Sequence, residues 1–243
     1  MKILDCNKPE ELYNNCFTFD GIIKPIKVFE RGSRIYLTNH KGSDYDYGVI
    51  VPNEVEIIDV EGVFENEKSD KRIHPCTFIN PSNNDRFDFE IVKSTDFNEL
   101  VLEHDPFAIE AMILNNWQIY ADPIKLNPWK LRCKFGQIAN NSWSKAKKKM
   151  TVEKDLDMYC GVKSLFHSIR LQMFACYFVK GYITNDERKS VIDLFNEIKH
   201  DWTVNNFTWE DFKNKYKPIY NYWHSEMVKC CTKPEEEFKN NKK

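Results

Sequence analysis

The sequence predicts an α+β fold, with a mixed sheet and helices followed by a helical C-terminal region. Short β-rich segments bounded by turn residues fill the chain before about residue 95. After it, long segments carry apolar residues at helical spacing. Of the 243 residues, 42% are hydrophobic and 14% are aromatic, which is enough for a buried core. We expect domains at 1–100 and 101–232, and a charged tail at 233–243.

Three segments of the first half predict strands. A β-rich run over 22–30 leads into Gly32, and a second over 45–51 ends at Pro52. The stretch 86–92 alternates polar and apolar residues, which is the pattern of a half-buried strand. The weaker segments are a short helix at 10–14, a strand or extended excursion at 55–60, and an undecided segment at 73–79.

The second half predicts four helices. Asp105-Pro106 begins the first, since proline is favoured in a first turn. The strongest covers 156–179, has a wide apolar stripe and stops at Gly181. The others are a helix at 186–200 capped by Thr184 or Asn185, and one at 209–228 that we expect to break near Pro218.

Charge, hydropathy and cysteine usage exclude some classes of protein. The net charge of −2 gives no overall basic bias, so any contact with a polyanion has to be local. The sequence contains no run of about 18 apolar residues, which argues against a membrane span. The N-terminus lacks an apolar signal core, and eight cysteines form no C-x-x-C pair. We therefore expect free thiols in a reducing, cytoplasmic compartment, with no membrane partner.

The most informative motif joins a Gly-Ser turn to a pair of acids. Gly32, Ser33 and Arg34 are followed by Asp44-Tyr45-Asp46, eleven residues after the serine. Side chains two apart on a strand share a face, so Asp44 and Asp46 can meet at one place. Such oxygen ligands suit Mg²⁺, which one or two carboxylates hold together with substrate phosphates. Glycine lets the backbone approach a phosphate, and Ser33 offers a hydroxyl and an N–H.

A third carboxylate completes the set that phosphoryl transfer with two metal ions needs. The alternating strand supplies Asp88, and Glu90 lies on the same face as a substitute. The alternative interpretation is that Asp44 and Asp46 mark a solvated strand end. Two observations favour the metal site. The Gly-Ser turn lies eleven residues before Asp44, and another strand supplies a third acid.

The segments 32–39 and 43–49 resemble the G-S-x-x-Y-G-T-x…S-D-x-D-x-x-x-V signature of polymerase-β-type nucleotidyltransferases. The resemblance is closest to a polymerase-β-like family of RNA-repair operons that has T-even-phage members. Three later segments are similar to further motifs of that family: 88–97 to its D-V-x-x-Y-x-L-x-x-F, 104–110 to its G-N-P-N-x-x-E and 163–170 to its K-x-x-Y-H-x-x-R. Leu37 and His104 stand where the family has glycine, and Asp105 where it has asparagine.

The resemblance implies a nucleotidyltransferase catalytic domain at 1–100 and an activity of the EC 2.7.7 class. That activity moves a nucleoside monophosphate from an NTP to a hydroxyl with Mg²⁺ or Mn²⁺ and releases pyrophosphate. It implies Asp44, Asp46 and Asp88, preferred to Glu90, as catalytic metal ligands. The implied nucleotide-binding residues are Gly32, Ser33, Arg34, Lys163, His167 and Arg170.

Two basic groups support this interpretation from their spacing alone. Lys163, His167 and Arg170 share one face of the strongest helix, which predicts a basic stripe opposite its apolar one. Such a stripe suits a triphosphate, although many basic stripes are simply solvated. Glu110 would orient one of these bases or the backbone of the site, or lie exposed on its helix. The lysine run Lys145, Lys147, Lys148 and Lys149 suits the phosphates of a polyanionic acceptor or is a solvated segment.

The favoured function is transfer to an RNA end. The alternatives are nucleotidylation of a protein or a small molecule, and a non-catalytic nucleotide-binding module. The sequence leaves base preference and oligomeric state open.

Overall fold

A computed structural model describes residues 25–38, 43–55, 71–79, 85–115 and 126–233. The chain forms two compact units, Met1–Leu102 and Glu103–Lys243. The helix predicted at 10–14, the segment 56–60 and the tail from 234 lie outside the described residues.

The first unit contains a four-stranded mixed sheet. Its strands are β1 (Lys27–Glu30), β2 (Tyr45–Val51), β3 (His74–Ile79) and β4 (Arg86–Lys93), in the order β1-β2-β4-β3. The central strands β2 and β4 are parallel, and each edge strand is antiparallel to its neighbour. Pro75 lies on the edge strand β3, where a missing N–H is tolerated. The α+β class with a mixed sheet is confirmed.

The two faces of this sheet differ in chemistry. On one face Tyr47, Val49 and Val51 of β2 pack with Phe87 and Phe89 of β4 to form an apolar core. The other face carries Asp46 and Asp88 near one end of the strands, because side chains alternate along a strand. Apolar burial on one face fixes the register of the acids on the other.

The acid-bearing face is covered further along by aromatic side chains. A Cβ at Gly48 would lie 2.1 Å from the Phe29 ring, so glycine makes room for that ring. Phe29 in turn meets Phe97 edge-on at 6.3 Å between ring centres. Phe97 belongs to the helix α2 (Ser94–Glu103), which follows β4 directly.

The second unit is helical. The first unit also contains the short helix α1 (Gly32–Ile35), which precedes α2 in the chain. The helices of the second unit are α3 (Pro106–Leu114), α4 (Pro128–Thr151), α5 (Met158–Phe178), α6 (Asn185–Thr203) and α7 (Trp209–Cys230). The helix α5 packs on α4, α6 and α7 and has more buried residues than any other described helix of this unit. In the described part of the chain, no helix combines the length and the apolarity that crossing a bilayer requires.

Side-chain caps explain where these helices begin. Thr184 and Glu187 form a capping box at the start of α6, as Thr208 and Asp211 do for α7. Asp105 accepts a bond from the Phe107 N–H and so caps α3, whose first residue is proline. The predicted helices at 105, 156–179 and 186–200 are confirmed with shifts of a few residues.

A buried carboxylate ties α6 to α7. Asp201 is 2% exposed and accepts hydrogen bonds from Lys215, Tyr216 and Asn205. Burial alone would raise the pKa of Asp201, but these bonds outweigh it and lower the pKa below its ordinary value of 3.8.

One expectation for the helical half is wrong, and one helix of this half was not predicted. The last helix does not break near Pro218 but runs unbroken from Trp209 to Cys230. Proline removes one backbone bond, and the buried side chains of Phe212, Tyr216 and Tyr220 hold the helix together on both sides of it. The 24-residue helix α4 was not predicted as a helix at all.

Six cysteines lie in the described residues, and all are free thiols. Cys231 is fully buried near Cys230, with 3.7 Å between their sulfur atoms. Burial raises the pKa of Cys176 and Cys231, which keeps both thiols protonated at neutral pH.

Candidate functional site

The Gly-Ser turn packs directly against the acidic pair. The N–H of Arg31 donates to the carbonyl of Asp46 at 2.8 Å, which brings the end of β1 onto β2. Gly32 follows with φ of +59°, in the left-handed region that favours glycine. A Cβ at this position would lie 1.9 Å from the Asp46 Oδ2. Glycine is therefore needed here both for the backbone and for the place of the carboxylate.

The rest of the turn closes on itself. Gly32–Ile35 forms the short helix α1, and the N–H of Thr38 donates to the carbonyl of Ser33 at 2.8 Å. The N–H of Leu37 donates to the carbonyl of Arg34 at 3.0 Å, and Leu37 has φ of +58°. Leu37 therefore keeps a backbone conformation that suits glycine, the residue preferred here in the family that the sequence resembles.

His104 is the second residue that stands where the resembled family has glycine, and it too has a positive φ. His104 has φ of +61°, and its Nε2 accepts a bond from the Asn127 N–H at 2.7 Å. Leu37 and His104 are two of the three non-glycine residues with positive φ in the described ranges, and both stand where the family that the sequence resembles has glycine.

Asp46 and Asp88 are direct partners across the parallel β2–β4 ladder, so their side chains lie on one face of the sheet. Asp44 lies just before β2 and is exposed. A bond to Asp88 and the charges of Asp88, Asp44 and Asp46 raise the pKa of Arg86. All three predicted carboxylates therefore lie within electrostatic reach of one guanidinium.

The contacts of the third carboxylate separate Asp88 from Glu90. Asp88 Oδ1 accepts from the Thr77 hydroxyl at 2.6 Å and from Arg86 Nε at 3.0 Å. Glu90 forms an ion pair with Arg31 and lies opposite Gly48 in the ladder rather than opposite Asp46. The register thus favours Asp88 as the partner of Asp46.

The oxygen donors on the acid-bearing face suit a divalent cation that is shared with a substrate. Among the described residues, no group of three or more His, Cys, Asp or Glu side chains forms a ready metal cage. Mg²⁺ does not require one, because it is commonly held by one or two carboxylates with substrate phosphates and water completing the shell. The residues fit such a shared site: two carboxylates on one face, with a glycine backbone against one of them.

The side chain of Arg34 points back onto the chain. Its Nη2 donates to the carbonyl of Ser43 at 3.2 Å, and its guanidinium carbon lies 3.5 Å from the centre of the Tyr45 ring. Gly32, Ser33, Arg34, Asp44, Asp46 and Asp88 thus form one constellation within the first unit. Their catalytic and ligand-binding roles stay predictions.

The three basic residues predicted on the strongest helix belong to the second unit. Lys163 is exposed, but Arg170 is 2% exposed and pairs with Glu110 at 3.2 Å. The expected basic stripe opposite the apolar one is therefore wrong for Arg170, which points into the core. The expectation that Glu110 orients one of these bases is confirmed, because this buried carboxylate neutralises the guanidinium.

His167 completes the network. Arg170 Nη2 donates to His167 Nδ1 at 2.7 Å, so the neutral imidazole carries its proton on Nε2. Burial and the charges of Arg170 and Lys145 hold the pKa of His167 well below its ordinary value of 6.5. His167 is thus a neutral N–H donor at physiological pH. Nucleotide binding by Lys163, His167 and Arg170 remains a prediction.

The lysine run lies on the C-terminal turns of α4. Lys145, Lys147 and Lys148 are exposed, and Lys148 pairs with Asp155 at 3.1 Å. The exposure of these three lysines is compatible with contacts to the phosphates of an acceptor and equally with a solvated segment.

The residues that bond to the Asp88 carboxylate, Thr77 and Arg86, were not identified from the sequence. Arg86 lies two residues before Asp88 on the same strand face, and this spacing was a readable signal. Thr77 was not readable, because its strand was undecided and its pairing with β4 depends on the fold.

No protein-family model and no curated protein matches this sequence. A search of solved structures finds a nucleotidyltransferase-like protein from Exiguobacterium sibiricum, with 11% sequence identity and a TM-score of 0.33. The match covers 83% of this chain and 68% of that protein.

Proposed function

We propose that this protein is a nucleotidyltransferase that moves a nucleoside monophosphate from an NTP to the hydroxyl of an RNA end. The observation that carries the proposal is the pairing of Asp46 with Asp88 across parallel strands, with the α-carbon of Gly32 packed against the Asp46 carboxylate. This arrangement offers oxygen ligands and a closely approachable backbone at the same place.

Each residue of the constellation has a distinct task in this proposal. Asp46 and Asp44 hold the nucleotide-bound cation, and Asp88 faces the attacking hydroxyl as a ligand or base. A bound Mg²⁺ supplies charge neutralisation for the attacking and leaving oxygens of the phosphoryl transfer. The turn at Gly32 and Ser33 offers backbone N–H groups and a hydroxyl to the triphosphate.

The environment of Asp88 suits both of its possible tasks. Bonds from Thr77 and Arg86 reach the same oxygen, Oδ1. The two bonds orient the carboxylate, which a metal ligand and a base both need.

Two further observations support the proposal. Leu37 and His104, which stand where the resembled family has glycine, both have a positive φ, the region that glycine favours. The exposed lysines of α4 support a polyanionic acceptor, since phosphate contacts come from local basic groups even on a protein with a net charge of −2.

The test is incorporation of each α-labelled NTP, with Mg²⁺ or Mn²⁺, into total RNA and into cell lysate. Asp46→Asn, which keeps the shape of the side chain against Gly32, is the matched control. Label in RNA with the wild type and none with Asp46→Asn supports the proposal. Label in a protein band would replace RNA by a protein acceptor. Equal label with Asp46→Asn would refute the assignment of the carboxylates.

A further inference from the structure

The side chain of Arg34 is anchored to the segment that leads into the acidic pair. Its Nη2 donates to the Ser43 carbonyl at 3.2 Å and its Nε to the Asp44 carbonyl at 3.4 Å. Both acceptors are backbone oxygens, nine and ten residues further along the chain. The guanidinium therefore holds the backbone at the point from which the Asp44 carboxylate projects.

The same guanidinium stacks on the sheet. Its central carbon lies 3.5 Å from the centre of the Tyr45 ring, well inside the range of a cation–π contact. Tyr45 in turn stacks on Phe87, its direct partner in the ladder, with 4.8 Å between ring centres and 22° between planes. The stack of Arg34, Tyr45 and Phe87 links α1 to both strands that carry the acids.

This stack is adjacent to the acids in the ladder. Tyr45 and Phe87 form one rung, and Asp46 and Asp88 form the next. Gly32 contacts the Asp46 carboxylate on the acid face, and Arg34 contacts the Tyr45 ring on the opposite face. The single turn α1 thus holds the end of β2 from both sides.

We infer that Arg34 is a positioning residue, which places Asp44 and Asp46 for binding a cation. It does so by bonding to the Ser43 and Asp44 carbonyls and by stacking on the Tyr45 ring. It takes this place instead of the direct nucleotide contact that the resemblance implies. The inference rests on the proposed function, since the acids it positions are the proposed metal ligands.

Arg34→Lys separates positioning from charge. Lysine keeps the positive charge but has no planar fork to reach two carbonyls while stacking on a ring. We expect the kcat for transfer to fall about 10-fold or more, because small displacements of reacting groups are costly, while the KM for NTP stays within about twofold. Mn²⁺ affinity without nucleotide should weaken about 10-fold, by the same displacement of the ligands.

Two further variants define the effect. Tyr45→Leu removes the stack from its other side and should reproduce the loss of Mn²⁺ affinity. Arg72→Lys alters an arginine of the same unit that pairs with the exposed Glu99, and it should leave both kinetics and Mn²⁺ affinity unchanged.

The outcomes distinguish the inference from the proposed function. A raised KM at unchanged kcat in Arg34→Lys would assign the residue to the triphosphate and overturn the inference. A lowered melting temperature with wild-type Mn²⁺ affinity would make its role merely structural and also overturn it. If the wild type neither transfers nucleotide nor binds Mn²⁺, the proposed function itself fails.

Discussion

Replacing Gly32 by alanine perturbs the candidate site through one methyl group. The new Cβ would lie 1.9 Å from Asp46 Oδ2, whereas real Cβ atoms essentially never come within 3.0 Å of another heavy atom. The carboxylate therefore has to move by about 1 Å, a displacement that costs about 100-fold in rate when it misplaces reacting groups. In addition, a φ of +59° costs an L-residue about 1–2 kcal/mol.

We therefore expect Gly32→Ala to lower the kcat for nucleotide transfer about 100-fold. The free energy of unfolding should fall by only about 1–2 kcal/mol. The first is measured by pyrophosphate release and the second by chemical denaturation. Gly181→Ala is the matched control, because Gly181 has φ of +84° and lies in the second unit. It should lose a similar free energy of unfolding and keep its kcat.

Either of two results would contradict the predicted effect of Gly32→Ala. Wild-type kcat in Gly32→Ala would show that the place of the Asp46 carboxylate does not depend on the missing methyl group. An equal loss of kcat in Gly181→Ala would show that destabilisation alone lowers the activity.

Other predictions concern stability. Leu37→Gly should raise the free energy of unfolding by about 0.5–1 kcal/mol, since it relieves a left-handed residue that is 60% exposed; a loss in denaturation experiments would contradict this. Asp201 has a lowered pKa, so its stabilising contribution is present above pH 3.8 and is lost as the pH falls below it. Asp201→Asn should therefore flatten the acid limb of the pH–stability curve, and an unchanged limb would refute the assignment. Glu110→Ala should cost about 3–5 kcal/mol by leaving the Arg170 charge buried. The double variant with Arg170→Met should cost less, and an equal or larger loss would contradict the pairing.

Strands with strong turn signals were predictable from the sequence. Tyr45–Val51 has the predicted bounds, because β-rich residues are followed directly by Pro52. A common site for Gly32 and Asp46 was predicted from the motif that they share, but the clash that makes glycine necessary depends on how β1 meets β2.

The missed helix α4 shows the limit of apolar periodicity. Its buried face includes Gly136, Ala139, Ser142 and Ala146, and such small residues give little hydrophobic signal even though they allow close packing. The cap Asn127 followed by Pro128 was a readable start signal.

Tertiary pairing accounts for the error at Arg170. Helical spacing correctly puts Lys163, His167 and Arg170 near one another in angle, but it does not say whether that face meets water. Burial of Arg170 depends on Glu110, which lies 60 residues away in the chain. Without that partner a buried guanidinium would be too costly, so periodicity alone favours the exposed alternative.

The proposed function requires the acid-bearing face of the first unit to bind a divalent cation together with a nucleoside triphosphate. Mn²⁺ binding, monitored by electron paramagnetic resonance with and without a non-hydrolysable NTP, is the most direct test. This measurement needs no acceptor. Wild type should bind Mn²⁺ more tightly with the nucleotide, and Asp44→Asn and Asp46→Asn should lose that gain while Glu99→Gln keeps it. Equal nucleotide-dependent binding of Mn²⁺ in wild type and Asp46→Asn would show that the Asp46 carboxylate does not hold the cation.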